Sequence, residues 1–361
     1  MKIIMIVPSL HNGGAERVVS TFANQLAELG VDVHLVVHED KIEYDISSKV
    51  HLDKLIFNYN LTGWRRALSL FGRIFKLRTK VSEISPDLII CFLTGCSMQV
   101  LASQLLSRNK ILVCEHNNYF ALKSSLKRLL RNILYLRAKN ISVLTKGDIG
   151  NYPFLLRRNM YVQENPLPWK VIQDFEPRTW SGKLLAVGRL EYQKNHEELI
   201  DIIWLCRNHG LNIQLSVVGE GSLLSKLKSK VEELSLSKQI KFLGRRTDMH
   251  ALYKSHDILV MTSHYEGLPM VISEAFSHAL PVISYECPTG PSEMISNGEN
   301  GFLIDMYSKE SFVDSLINID SNAELYTKMQ FSALKSATRW DTVTLCKLFY
   351  SKLDAMINGE K

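Results

Sequence analysis

Short apolar runs alternate with longer amphipathic stretches, and the alternation occurs twice along the chain. In the first half Ile3–Val7, Asp32–Val37, Leu88–Phe92, Ile111–Val113 and Ile141–Val143 read as strands. In the second half Leu184–Val187, Ile213–Val218, Ile240–Phe242, Ile258–Met261 and Val282–Ser284 do so. Continuous runs of this length, spaced by helical patterns, predict buried parallel strands joined by crossover helices. The expected fold class is α/β, with two doubly wound, Rossmann-like parallel sheets. The prolines of Glu164-Asn165-Pro166-Leu167-Pro168 interrupt regular structure between the two series. Apolar residues recur at helical spacing from Trp340 to Met356. The expected organisation is a domain over 1–165, a second over 166–335 and a terminal helical segment over 336–361. Open parallel sheets bind ligands beyond the carboxyl ends of their strands, so two such sheets facing each other would enclose a cleft.

At 361 residues, with 46% hydrophobic and 22% charged positions, the chain has the balance of a folded, water-exposed protein of about two domains. No apolar run approaches the roughly 18–20 residues of a membrane-spanning helix. The opening Met1-Lys2-Ile3-Ile4-Met5-Ile6-Val7 passes directly into a glycine-containing loop, which predicts a first buried strand rather than a signal peptide. Six cysteines lie without paired metal spacing and are expected to be reduced thiols of a cytosolic protein.

Charge is unevenly divided. Residues 1–165 hold 22 Lys and Arg against 13 Asp and Glu, whereas residues 166–361 hold 21 against 24. The first half therefore favours an anionic partner. Residues 54–82 contain no acid but carry Arg65, Arg66, Arg73, Lys76, Arg78 and Lys80. On a helix, Trp64, Leu68, Phe71, Ile74 and Phe75 share one broad face, with Arg66, Arg73, Lys76 and Lys80 away from it. Such a helix lies on an anionic membrane or grips a lipid pyrophosphate, or else packs ordinarily with a solvated basic face. A second acid-free stretch, Lys123 to Lys146, adds Lys127, Arg128, Arg131 and Arg137 and favours the membrane surface. Nucleic acid is disfavoured, because aromatic residues are not interleaved as stacking platforms.

The densest chemistry lies in Tyr265-Glu266-Gly267-Leu268-Pro269-Met270-Val271-Ile272-Ser273-Glu274, where two glutamates flank a strand-to-helix junction. Pro269 stands where the helix should begin. The amides of Gly267, Leu268 and Met270 then point outward toward a phosphate, with a carboxylate on either side for hydroxyl groups. Gly188-Arg189-Leu190, followed by Lys194-Asn195, comes directly after another strand. Cations at a helix start oppose its dipole, a conflict that a bound anion resolves. Gly13 and Gly14, in His11-Asn12-Gly13-Gly14-Ala15-Glu16-Arg17, permit close backbone approach and a tight turn into a helix. Gly219-Glu220-Gly221 follows a strand but lacks the third glycine of a dinucleotide fingerprint, since Leu224 stands there. No phosphate loop of the Gly-Lys-Ser/Thr kind occurs, and no Asp-any-Asp triplet.

These blocks resemble the retaining family 4 glycosyltransferases of the GT-B fold along almost the whole chain. The resemblance implies two Rossmann-like domains facing across a cleft, and the lack of an Asp-any-Asp triplet, the usual metal anchor of the other large glycosyltransferase fold, favours a metal-independent mechanism. It implies that Glu274 holds the ribose of a nucleotide while Glu266 contacts the donor sugar. Arg189 and Lys194 would clamp the diphosphate as charge develops on it. Gly13 and Gly14 match the family's Gly-Gly-Ala-Glu-Arg pattern. Cys114-Glu115-His116-Asn117-Asn118 resembles a Ser-Glu-His-Asn segment of bacterial members, which would place His116 beside the reacting sugar. Gly219 would edge the nucleotide pocket, and Arg245, in Phe242-Leu243-Gly244-Arg245, would lie near the base. Cys287-Pro288-Thr289-Gly290-Pro291-Ser292-Glu293 is similar to enzymes that build O-antigen and capsule on polyprenyl diphosphate. The expected activity is transfer of a hexose or N-acetylhexosamine from a UDP-sugar to a lipid-linked saccharide, on the inner face of a bacterial cytoplasmic membrane. The rival readings are the same chemistry on a soluble acceptor and a non-catalytic nucleotide-sugar-binding protein.

Overall fold

A computed structural model of the chain describes residues 1–11, 13–57 and 62–359, without the side chains of Gly63, Arg66 and Ala67. It divides into two compact units, Met1–Pro168 with Thr342–Lys361, and Trp169–Asp341. The expected boundaries at 165/166 and 335/336 thus stand beside observed ones at 168/169 and 341/342.

The first unit contains β1 (Lys2–Val7), β2 (Asp32–Val37), β3 (His51–Lys54), β4 (Leu88–Phe92), β5 (Ile111–Cys114), β6 (Asn140–Val143) and β7 (Met160–Val162). They form one sheet in the order β3-β2-β1-β4-β5-β6-β7, every pair parallel. Central strands such as Ile3–Val7 and Leu88–Phe92 are buried on both faces, which explains their unbroken apolar runs. The helix Thr342–Asn358 belongs to this unit. Its Phe349 meets Phe22 of the helix Gly14–Glu28 at 4.4 Å between ring centroids, and Lys139 Nζ donates to Met356 O at 2.7 Å.

The second unit contains β8 (Lys183–Val187), β9 (Gln214–Val218), β10 (Ile240–Gly244), β11 (Ile258–Met261), β12 (Val282–Tyr285) and β13 (Gly301–Ile304). Their order is β10-β9-β8-β11-β12-β13, again parallel throughout. Buried Asp257 ties the starts of β8 and β11 together, its Oδ2 accepting from Ser181 N–H, Ser181 Oγ and Lys183 N–H at 2.9, 2.8 and 2.9 Å. Both units thus realise the doubly wound parallel sheets that the apolar runs predict. In each, the chain reverses its direction of strand addition beside the first strand, between β1 and β4 and between β8 and β11.

In each of two helices, one arginine leaves the expected basic surface for the interior. In the helix Gly63–Ile84, Trp64, Leu68, Phe71 and Phe75 are exposed, whereas Arg73, Leu77, Val81 and Ile84 turn inward. Arg73 is only 7% exposed, and its Nε donates to Ser69 Oγ at 3.2 Å. Lys80 pairs with Asp53 at 2.8 Å and lies 3.6 Å from Glu83. Arg73 is therefore removed from any solvated cationic face and Lys80 is neutralised on one, while Arg65 and Lys76 remain exposed; the side chain of Arg66 lies outside the described residues. In the helix Ser125–Tyr135 too, Leu126, Leu129, Leu130 and Ile133 face outward, and Arg131 is buried. Its guanidinium lies 4.1 Å from the Tyr119 ring centroid and 4.8 Å from that of Tyr152, and donates to Tyr119 O at 3.2 Å. Aromatic faces and a carbonyl thus replace the water this cation loses.

Candidate active site

The reversal point of the second sheet brings the loops after β8 and β11 together. Gly188 leaves β8 with its N–H on Val218 O at 2.9 Å, and Gly219 leaves β9 with its N–H on Gly244 O at 2.9 Å. Gly219 has a positive φ of 141°, and a Cβ there would lie 1.9 Å from Gly188 O, so only glycine lets these backbones meet. Gly219 consequently has a packing role whatever else it touches.

Beyond Gly188 the chain makes a short 3₁₀ turn, Tyr192–Lys194, which is stitched to the loop after β11. His264 N–H donates to Gln193 O at 2.8 Å, Gln193 Nε2 to Tyr265 O at 3.1 Å, and Thr262 Oγ1 to Asn195 O at 2.9 Å. This stitching places Lys194 Nζ 2.6 Å from Glu266 Oε1. Glu266 is 5% exposed, and a carboxylate so buried requires a cation and donors. Gln193 Nε2 supplies a further contact at 3.4 Å to Oε2, and Arg189 Nη2 donates to Gln193 Oε1 at 3.3 Å. Arg189, Lys194 and Glu266 therefore form one connected group through Gln193, with Arg189 exposed at its edge.

The backbone of Glu266 is held by the loop after β12. Its N–H donates to Pro288 O at 3.0 Å, and its carbonyl accepts from Thr289 Oγ1 at 3.1 Å. Gly290, at φ 95°, approaches so closely that a Cβ would sit 2.2 Å from Gly267 O. Pro269 caps the helix Met270–Phe276 rather than opening it, and buried Leu268 leaves only its backbone for a ligand. Glu274 lies within this helix, buried, and Tyr253 OH donates to its Oε2 at 2.7 Å. Tyr253 itself stacks on His278, with ring centroids 5.3 Å apart. Arg245 is exposed just after β10.

In the first unit, Gly13 caps the helix Gly14–Glu28 in an extended conformation, and its carbonyl accepts from Tyr44 OH at 2.8 Å. His116 follows β5, 5.7 Å from the Phe92 ring, with no hydrogen-bond partner for Nδ1 among the described residues. Burial pushes its pKa down to about 4, so the imidazole is neutral near pH 7. Its neighbour Glu115 is buried, and Tyr135 OH and Thr94 Oγ1 donate to its two oxygens, the latter at 2.8 Å. Burial raises the Glu115 pKa, while the Tyr135 and Thr94 hydrogen bonds and nearby Arg131 oppose the rise. Gln193, Tyr253, Tyr135 and Thr94 are the supporting residues that sequence reading missed. Each meets its partner through a long-range contact that local pattern does not encode.

Comparison with known proteins gives a consistent result. Residues 170–335 match the family described as "Glycosyl transferases group 1", and residues 12–146 match "Glycosyltransferase Family 4". The amylovoran biosynthesis glycosyltransferase AmsD of Erwinia amylovora is 30% identical over 339 residues, covering 90% of this chain and 91% of its own. A Campylobacter jejuni α-1,4-N-acetyl-D-galactosaminyltransferase, named for a saccharide on PP-undecaprenol, is 29% identical over 307 residues, 84% of either chain. Anabaena HepE, solved in complex with UDP and glucose, superposes with a TM-score of 0.81 at 18% identity, over 98% of this chain and 100% of that one.

Proposed function

We propose, from the premise that this chain belongs to the family 4 glycosyltransferases, that it is a retaining enzyme transferring a sugar from a UDP-sugar to a polyprenyl-diphosphate-linked saccharide during bacterial surface-polysaccharide assembly. The observation that carries this reading is the pairing of partly buried Lys194 with buried Glu266, at 2.6 Å, beside Arg189 at the reversal point of the second sheet. A carboxylate for sugar hydroxyls and two cations for a departing diphosphate are what the reaction needs in one place. The names of the Erwinia and Campylobacter relatives support a polysaccharide pathway and a lipid-linked acceptor. The UDP and glucose bound to Anabaena HepE support the donor class.

In this mechanism the bond between the anomeric carbon and the β-phosphate oxygen breaks, and the acceptor hydroxyl oxygen forms a new bond on the same face of the sugar. The hydroxyl proton passes to the leaving UDP. Arg189 and Lys194 stabilise the developing diphosphate charge, Glu266 orients the sugar, and Glu274 holds the ribose. In the first unit, His116 is neutral at pH 7 and its Nδ1 has no partner among the described residues, so it can offer a hydrogen bond without adding charge. The exposed apolar faces of Gly63–Ile84 and Ser125–Tyr135 favour a membrane-borne acceptor over a soluble one.

The test is UDP release from a panel of UDP-hexoses and UDP-N-acetylhexosamines, with and without short polyprenyl-diphosphate saccharides. Release should require one donor and the lipid acceptor, and should fall about 100-fold or more in Glu266→Ala and Arg189→Ala. UDP binding without turnover for every pair would favour a binding protein instead.

A further inference from the structure

At the opposite end of the first sheet, β2 and β3 carry mirrored tripeptides, Asp32-Val33-His34 and His51-Leu52-Asp53. Their parallel register sets His34 against His51. Side chains alternate along a strand, so Asp32, His34, His51 and Asp53 all project from one face. Asp32 Oδ1 lies 3.4 Å from His34 Nε2 and 3.5 Å from His51 Nε2. One ligand atom from each of these three residues falls within 4.8 Å of the others. The two rings stack with centroids 4.7 Å apart, tilted by 21°. His34 Nδ1 is buried without a hydrogen-bond partner among the described residues, and Asp53 Oδ2 stands 3.9 Å away, too far to serve as one.

Two imidazoles and a carboxylate are a ligand set for a borderline divalent ion. Ligand atoms about 2.0–2.1 Å from a tetrahedral ion lie about 3.4 Å from one another, the spacing that Asp32 Oδ1 keeps from both ring nitrogens. The remaining charges nearby are already engaged. Lys2 Nζ is 3.8 Å from Asp32 Oδ2, and Lys80 Nζ is 2.8 Å from Asp53 Oδ1. These contacts orient the carboxylates as outer partners do in metal sites. Lys2, Lys80 and Glu83 also line a depression of about 440 Å³ that leaves room for water at a fourth position.

We propose that Asp32, His34 and His51 bind a first-row divalent metal ion of the zinc class, which joins the edge strand β3 to β2. β3 is four residues long and largely exposed, so it has little apolar burial to hold it to the sheet. Coordination across the strand pair would supply what packing does not. The site lies at the amino-terminal ends of the strands, away from the carboxyl ends where a doubly wound sheet takes its substrates.

The experiment is calorimetric titration of zinc chloride into the intact, chelator-treated protein, repeated with His51→Ala and with the control His209→Ala. Both histidines are exposed, so neither change disturbs the core. Cobalt(II) absorption provides a second readout of the coordinating groups. The wild type and His209→Ala should bind one ion per chain, and their thermal midpoints should rise with zinc. His51→Ala should bind at least about tenfold more weakly, with little thermal response and altered cobalt bands. Equal binding by His51→Ala and wild type, or no saturable binding by wild type, would overturn the proposal.

Discussion

Tyr253 shows how a candidate site residue depends on a neighbour the sequence does not announce. Glu274 lies in a helix of seven residues, and its type and spacing from Glu266 mark it out in the sequence. A donor to its carboxylate stands 21 residues earlier, on the helix Met249–Ser255, and reads there as an ordinary apolar position. Local spacing identifies the chemistry that a residue can perform, while the contact that orients it exists only after folding. Replacing Tyr253 by Phe removes one hydrogen bond to a carboxylate and keeps the buried ring stacked on His278. Hydrogen bonds to charged groups contribute about 1.5–3 kcal/mol, so the KM for the nucleotide sugar should rise about tenfold or more with kcat little changed. Steady-state kinetics on the purified variant would check this. A fall in kcat at constant KM would instead place Tyr253 in the chemistry rather than in holding the nucleotide.

At the scale of elements, strands buried on both faces were legible because their apolar runs are continuous, whereas β3, β7 and β13 were not. All three are edge strands of three or four residues, and β3 has hardly any apolar pattern. The helix Gly63–Ile84 exposes a different limit. Periodicity locates the apolar stripe of Trp64, Leu68, Phe71 and Phe75 but not the direction it faces, because burial of an arginine is decided by partners elsewhere in the chain. Trp64 and Phe71 are each 70% exposed, and the outward leucines of Ser125–Tyr135 extend the same kind of surface. Exposed Arg65, Lys76, Lys123 and Lys127 flank these stripes. Apolar wedges bordered by cations suit an anionic bilayer. The protein should sediment with vesicles containing anionic lipid, retain part of that binding at high salt through its apolar contacts, and lose most of it in Phe71→Glu/Phe75→Glu. Undiminished sedimentation of the double variant would move the contact to another surface.

Across the whole molecule, two sheets of corresponding strand order each carry histidines that burial keeps neutral, and this couples their stability to pH. His38 and His116 in the first unit, and His196 and His278 in the second, are all lowered by burial to about 4 from the ordinary 6.5. The unfolded chain therefore binds more protons than the folded one between those values, and stability rises with pH across that window. The contribution is fully present above about 6.5 and is lost as pH falls toward about 4. Each imidazole contributes on the order of 1–3 kcal/mol. Glu115 acts in the opposite sense, since burial raises its pKa and the folded state then holds its proton longer as pH climbs. One raised acid does not offset four lowered imidazoles, so the net slope should follow the histidines. Because each unit contains two of them, thermal unfolding followed from pH 7.5 to 4.5 should show midpoints falling in both units, steeply below about 6.5. If the midpoints stay flat until the ordinary carboxylate range near pH 4, these imidazoles are hydrated in the native state and impose no acid limit on either sheet.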